Sequence, residues 1–236
     1  MAFDISDFKL QRLVVEIRYE PAFLLWDKAG SIGVELRNRF PATKVRIVQP
    51  NQQQFSLDKK FAAGVQFDRT FLQGVYPAHN LEDIRTTSEA FFPIVIGALK
   101  ISDLSRIGLL GVYEKRFESR ELASEFVLKC QPSLRRGGKF FNVDGAKILD
   151  PEFFLRWEGD TMGCSIKLHS LEQRIEVEVP AELDDIQPID TKRNVALLEI
   201  DYYAHSSTPI SKFNAPAIIE NWVRIIRRDL GGFVGG

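Results

Sequence analysis

The sequence predicts an α+β protein, built mainly of antiparallel sheet and packed by a few long helices. Several short runs alternate apolar and polar side chains, which is the period of a strand with one buried face. Longer segments repeat apolar residues at every third or fourth position, as an amphipathic helix does. The predicted strands follow one another across turns instead of alternating with helices, which argues against a doubly wound parallel sheet.

The N-terminal half begins with a strand and a helix. Apolar residues at every second position of 10–19 predict a half-buried strand, which Pro21 ends. The apolar spacing from Leu25 to Phe40 predicts a helix closed by Pro41. Short antiparallel strands joined by tight turns are expected next, in segments 43–49, 53–58, 61–67 and 70–76.

A long helix follows these strands. Asn80 is its predicted N-cap, and acidic residues in its first turn suit the helix dipole. Pro93 lies inside the helix and removes a backbone hydrogen bond, so we expect it to kink the helix or split it in two. Residues 106–116 predict another strand, whereas 119–129 fit a helix or a strand.

The C-terminal part predicts a second group of strands and a last helix. A loop from Glu182 to Asp190 leads to a strand over 194–205. Asn214 is expected to cap the final helix, with Gly231 just past its end. Before that loop, a meander with a second turn at Glu172–Gln173 is expected, with its strands in 153–159, 162–169 and 174–180.

The order of elements suggests a repeat. Residues 43–101 and residues 152–230 both run from several strands into a long helix, although their side chains show little similarity. We therefore expect two sheet-plus-helix halves, over residues 1–130 and 131–236, or one continuous domain.

Composition limits the classes of function. The chain has 236 residues and a formal net charge of −1, so a general electrostatic attraction to nucleic acid or membrane is absent. Its two cysteines lie in no CxxC or Cys/His cluster, and no metal or cofactor site is predicted. The N-terminus does not read as a signal peptide, and no apolar run is long enough to span a bilayer. We expect a soluble cytoplasmic protein.

The segment "LRRGGKF", residues 134–140, is the strongest candidate for an anion site. Arg135, Arg136 and Lys139 flank two glycines, and such a loop can form a nest of backbone amides that binds phosphate. The phosphate-loop motif, however, requires Ser or Thr where Phe140 stands. An ordinary hairpin turn is the simpler interpretation.

The last helix carries a second group of basic residues, Arg224, Arg227 and Arg228. Basic residues near a helix C-terminus stabilise the helix through its dipole, which is the structural interpretation. Together with the basic loop, the same residues would provide phosphate contacts in a nucleic-acid-binding or nucleotide-binding protein.

Paired carboxylates offer a further alternative. Glu199 and Asp201 lie on one face of a predicted strand, and a metal-dependent nuclease needs such groups to hold its ion. No lysine follows either residue at the spacing that such nucleases use. Carboxylates on a solvated strand face are common, so no catalytic residue is assigned.

The phenylalanines point to binding. The chain contains 18 of them, and several are adjacent, as in Phe91–Phe92, Phe140–Phe141 and Phe153–Phe154. Adjacent rings on a strand face opposite sides of the sheet, so either both sides are covered or one ring of each pair awaits a partner. The sequence therefore favours a non-enzymatic binding protein, with a protein partner or self-association.

Two strands carry a resemblance. The segments "LVVEIRYEP" and "SRIGLLGVYEKRF", with "RFP" after the first helix, resemble a sporadically distributed family of uncharacterised prokaryotic proteins. The match includes Glu16, Arg18, Arg106 and Gly108, but "LGVYEKR" departs from the family's Arg-Tyr-Ile-Asn ending. The resemblance implies a defence-linked or toxin–antitoxin type of role, and it implies no catalytic residue. Two arginines within strands also need acidic or backbone partners.

Overall fold

In a computed structural model, residues 5–75, 80–130, 151–177 and 189–233 are described. The helices are α1 (Leu25–Arg39), α2 (Leu81–Leu99), α3 (Arg120–Lys129) and α4 (Ala215–Phe233). The strands are β1 (Lys9–Arg18), β2 (Lys44–Gln49), β3 (Gln52–Ser56), β4 (Phe61–Gln66), β5 (Arg69–Val75), β6 (Asp103–Leu104), β7 (Arg106–Phe117), β8 (Glu152–Glu158), β9 (Met162–Val177), β10 (Ile189–Ala204) and β11 (Thr208–Pro209). Single 3-10 turns span Ile5–Asp7 and Ile210–Lys212.

Nine of the strands form one antiparallel sheet. Their order is β2-β3-β4-β5-β1-β7-β10-β9-β8, and β6 pairs separately with β11. The α+β class with mainly antiparallel sheet, predicted from the sequence, is therefore confirmed.

The order of elements repeats around the middle of this sheet. A strand, a helix, a meander and a second helix occur as β1, α1, β2–β5, α2 and again as β7, α3, β8–β10, α4. In each set the last meander strand pairs with the first strand, and β1 pairs with β7 at the centre. Strands from both parts of the chain thus belong to one sheet.

One face of this sheet forms the core. Leu13, Val15 and Ile17 are fully buried, as their alternation predicts. Val15 lies opposite Leu109, and Leu109 lies opposite Tyr202, so the apolar face continues across the three central strands.

The helices cover this apolar face. In α4 the Trp222 ring packs edge to face against the Tyr202 ring of β10, with the ring centres 5.1 Å apart. In α3 the Ser124 hydroxyl lies 3.1 Å from that of Ser170 on β9. Helix α1 lies against Phe55 of β3, and α2 packs between α1 and α4. All four helices lie on the same side of the sheet.

Local signals set the helix starts. The Asn80 side chain accepts a hydrogen bond from the Asp83 backbone N–H at 2.7 Å, and the Asp83 carboxylate accepts one from the Asn80 backbone N–H, which is a capping box. Ser119 caps α3 in a similar way, so the segment that fits either element is a helix. Asn214 accepts a bond from the Ala217 N–H at the start of α4, as predicted.

Two local predictions were wrong, and a third was wrong in part. Helix α2 is not split at Pro93 but continues from Leu81 to Leu99, with buried Phe92 and Val95 on either side of the proline, whereas a kink there stays a prediction. No turn occurs at Glu172–Gln173, because both residues pair with the long β10 strand and β9 is continuous. Helix α4 runs past Gly231 to Phe233. Among the described residues, no helix is long and apolar enough to cross a membrane.

Candidate functional site

The sheet face opposite the helices is the candidate site, and we call it the helix-free face. None of the described helices packs on it. Side chains at the alternate positions of the strands point to this face, among them Glu16 of β1, Asp201 of β10 and Glu158 of β8. Its centre is therefore formed by residues that the sequence pattern leaves out of the core.

Arg106 is the hub of a charged network on this face. Its guanidinium donates to Glu16 Oε1 at 3.0 Å and to both carboxylate oxygens of Asp201 at 3.0 and 2.7 Å. Arg18 donates to the same Glu16 oxygen at 2.7 Å. The Arg106 side chain is only 17% exposed, so these charge-assisted bonds are partly shielded from water. Arg18 and Arg106 were expected to need acidic or backbone partners, and the partners found are acidic.

The network extends to the sheet edge through Tyr203. The Arg106 guanidinium carbon lies 4.4 Å from the centre of the Tyr203 ring, within range of a cation–π interaction. The Tyr203 hydroxyl donates to Glu158 Oε1 at 2.6 Å, and Arg156 donates to the same oxygen. The three acidic groups are therefore matched by three arginines, and the network is neutral.

Glycines within the strands make room for these side chains. A Cβ on Gly108 would lie 2.8 Å from the Arg106 guanidinium, and one on Gly163 would lie 2.5 Å from the Tyr203 ring. Gly64 is covered in the same way by Phe71. Glycine inside a strand marks a close approach of another group, and here the group is a side chain laid flat on the sheet.

These residues share one row across the sheet. Cross-strand pairing places the following residues side by side, from β4 to β8: Gly64, Phe71, Glu16, Gly108, Tyr203, Gly163 and Glu158. We call this set the transverse row. A large or charged residue and a glycine alternate along most of it, which gives a preorganised surface of flat rings and paired charges.

The titration of the network follows from its contacts. The hydrogen bond from Tyr203 is the main cause that holds the pKa of Glu158 below its usual value, and the same bond raises the pKa of Tyr203. At Asp201, burial raises the pKa of the carboxyl, and the Arg106 charge acts in the opposite direction.

The two cysteines are buried and carry raised pKa values. Burial raises the pKa of Cys164 to about 12, so this thiol is not a thiolate near neutral pH. Burial also raises the pKa of Cys130. Within the described ranges, no group of three His, Cys, Asp or Glu side chains could hold a metal ion.

Of the basic residues that the sequence offers as candidates, the structure describes only those on α4. Arg135, Arg136 and Lys139 are outside the described residues. Arg224, Arg227 and Arg228 are exposed on α4, on the helix side of the sheet. The structure therefore does not bring these α4 arginines to the network on the helix-free face.

The α4 arginines are also mixed with acceptors. Arg228 is paired with Asp229 at 2.6 Å, and Arg224 donates to the Asn221 side chain at 2.7 Å. Such partners weaken the basic character that phosphate binding requires.

Glu199 and Asp201 do share one strand face, as their spacing predicts. Both oxygens of Asp201 accept bonds from Arg106, so a guanidinium stands where a nuclease would need a cation.

Sequence reasoning missed part of the transverse row. Of the row and the charged network beside it, Glu16, Arg18, Arg106 and Gly108 were named through the resemblance, whereas Tyr203, Gly64 and Gly163 were not. A usable signal existed: a glycine inside an otherwise regular strand requires a reason, and close approach of a ring is one.

Comparison with protein-family models gives no match, and comparison with curated protein sequences gives none either. The functional argument therefore depends on the geometry of the helix-free face.

Proposed function

We propose that the protein is a non-enzymatic binding protein and that its helix-free face binds a protein partner. The observation that carries this proposal is the network on the helix-free face, in which the Arg106 guanidinium is held by Glu16 and Asp201 over the buried ring of Tyr203. Nearby on the same face, the half-buried Phe71 ring lies over Gly64. Arginine and aromatic side chains are enriched at protein interfaces and supply most of their binding energy.

The electrostatics support a protein ligand. The network is neutral, since Arg18, Arg106 and Arg156 balance three carboxylates, so it lacks the excess positive charge that nucleic acid requires. Preformed hydrogen bonds also hold these side chains in place before binding, which lowers the entropy cost of association.

Apolar side chains flank the network. Val112 of β7 and half-buried Leu110 of the same strand lie on the helix-free face, beside Asp201 and Glu199 of β10. Of the two, half-buried Leu110 is the side chain within reach of a partner, since Val112 is buried.

The test is affinity capture from cells that express the protein naturally, followed by chemical cross-linking. Leu110→Lys adds a charge to the helix-free face, and Val34→Lys adds one to the exposed surface of α1, where Val34 is 58% exposed. We expect the native protein and Val34→Lys to retain the same polypeptide and Leu110→Lys to lose it. Retention that is unaffected by Leu110→Lys, or no retained polypeptide at all, contradicts the proposal.

The other functions stay predictions of the sequence. Nucleic-acid or nucleotide binding depends on Arg135, Arg136 and Lys139. The described residues add no support for that function or for a metal-dependent nuclease. A role in defence or in a toxin–antitoxin system depends on the resemblance alone.

A further inference from the structure

The outer edge of β8 carries an inference that is independent of a partner on the helix-free face. We propose that two copies of the chain pair through this edge, with β8 of one copy antiparallel to β8 of the other around Phe154. β8 is the last strand of the described sheet, and Phe154 is 59% exposed on it.

The backbone of β8 presents free hydrogen-bonding groups in the required pattern. The Gly159 N–H donates to Met162 O at 2.8 Å, and the Ser170 N–H donates to Pro151 O at 3.4 Å. In an antiparallel pair the bonded positions alternate, so the odd-numbered residues of β8 bond to β9. The N–H and C=O groups of Glu152, Phe154, Arg156 and Glu158 then point outward, to a side of β8 where no strand among the described residues pairs with them.

The side chains select one register. With Phe154 opposite Phe154 of the second copy, Glu152 lies opposite Arg156 on both sides of the two-fold axis. A shift of two residues in one direction places Glu152 opposite Glu158 and Phe154 opposite Arg156, and the same shift in the other direction places Phe154 opposite Glu152, so neither keeps the aromatic pair. Opposite charges and an aromatic pair stabilise cross-strand contacts, whereas like charges destabilise them. The register around Phe154 is therefore the one that keeps both the aromatic pair and the two Glu152–Arg156 pairs.

The other edge of the sheet lacks these properties. β2 has an irregularity in its pairing between Val45 and Ile47 and carries only basic charges, Lys44 and Arg46. Bulges and lysines are features that protect edge strands from pairing. The contrast assigns self-association to the β8 edge and supplies a matched control.

Charge reversal with light scattering tests the pairing. We expect the native protein to be dimeric at micromolar concentration. Glu152→Arg alone and Arg156→Glu alone should each weaken dimerisation by about ten-fold, since each change creates two like-charge contacts across the two-fold axis. The double variant should restore it, because the opposite charges face each other again. A native protein that stays monomeric, or a double variant as weak as the single ones, overturns the proposal.

Disulfide trapping tests the register itself. Residues in a hydrogen-bonded antiparallel pair have Cα atoms about 5.5 Å apart, within disulfide range. Phe154→Cys should therefore form a covalent dimer under mild oxidation, while Val48→Cys, at a 65% exposed site on β2, should not. The native cysteines are buried, so the native protein is the blank. Equal or absent trapping in the two variants, with circular dichroism showing both folded, overturns the proposal.

Discussion

Replacement of Gly163 by alanine should destabilise the protein, although alanine usually stabilises a strand relative to glycine. The new methyl group would lie 2.5 Å from the Tyr203 ring, so the ring has to move off the sheet and leave Arg106. Overpacking of this kind costs about 1–3 kcal/mol. The lower backbone entropy of the unfolded chain offsets about 0.4–1 kcal/mol. The expected net loss in the free energy of unfolding is about 1–2 kcal/mol.

The sign should reverse when the ring is absent. In a Tyr203→Ala background the same change at Gly163 meets open space and should stabilise by about 0.4–1 kcal/mol. The two backgrounds should then differ by about 2 kcal/mol, which is the coupling between the residues. Urea unfolding followed by circular dichroism measures all four proteins, and Gly30→Ala, where no atom lies within 4 Å, is the control for a helical glycine. Equal effects in the two backgrounds would refute the reasoning.

Three further predictions concern stability. Arg106→Met removes the guanidinium from two partly buried carboxylates and should lower the free energy of unfolding, measured in urea, by about 2–3 kcal/mol. Adding Asp201→Asn should recover part of that loss. A loss below about 0.5 kcal/mol would contradict this, since ordinary surface ion pairs behave in that way. Burial, and secondarily the Lys167 charge, lowers the pKa of His169 below its ordinary value of 6.5, so the unfolded chain binds a proton at a higher pH than the folded protein does. The contribution of His169 to the free energy of unfolding should therefore be fully present above about pH 6.5 and be lost as the pH drops towards the pKa of the folded protein. His169→Gln should remove this pH dependence from a series of unfolding curves. An unchanged dependence in the variant contradicts the prediction. Asn80→Ala removes the cap of α2 and should lower the free energy of unfolding by about 1 kcal/mol, while Asn80→Ser should retain most of it.

Local periodicity predicted most of the elements. The alternation around Val15 and the caps at Asn80 and Asn214 correspond to interactions within a few residues, which a sequence displays directly. The wrong turn at Glu172–Gln173 had a different origin, because β9 continues only where β10 lies beside it, and such pairing depends on tertiary structure.

The candidate site was harder to predict because its contacts are distant along the chain. Glu16 and Arg106 are 90 residues apart, and Tyr203 and Glu158 are 45 residues apart. The acidic partners of Arg106 were expected from the chemistry of a guanidinium within a strand, but which carboxylates serve depends on the strand order. The role of Gly163 depends on a ring from a neighbouring strand.

The central position of β1 has a consequence for how the chain folds. The two outer meanders are hairpins of neighbouring segments, and loops of that length close quickly. Pairing of β1 with β7, in contrast, closes a long loop that contains α1, β2–β5 and α2. A high relative contact order at the centre of the sheet predicts slow refolding, with the seam between β1 and β7 closing after the flanks.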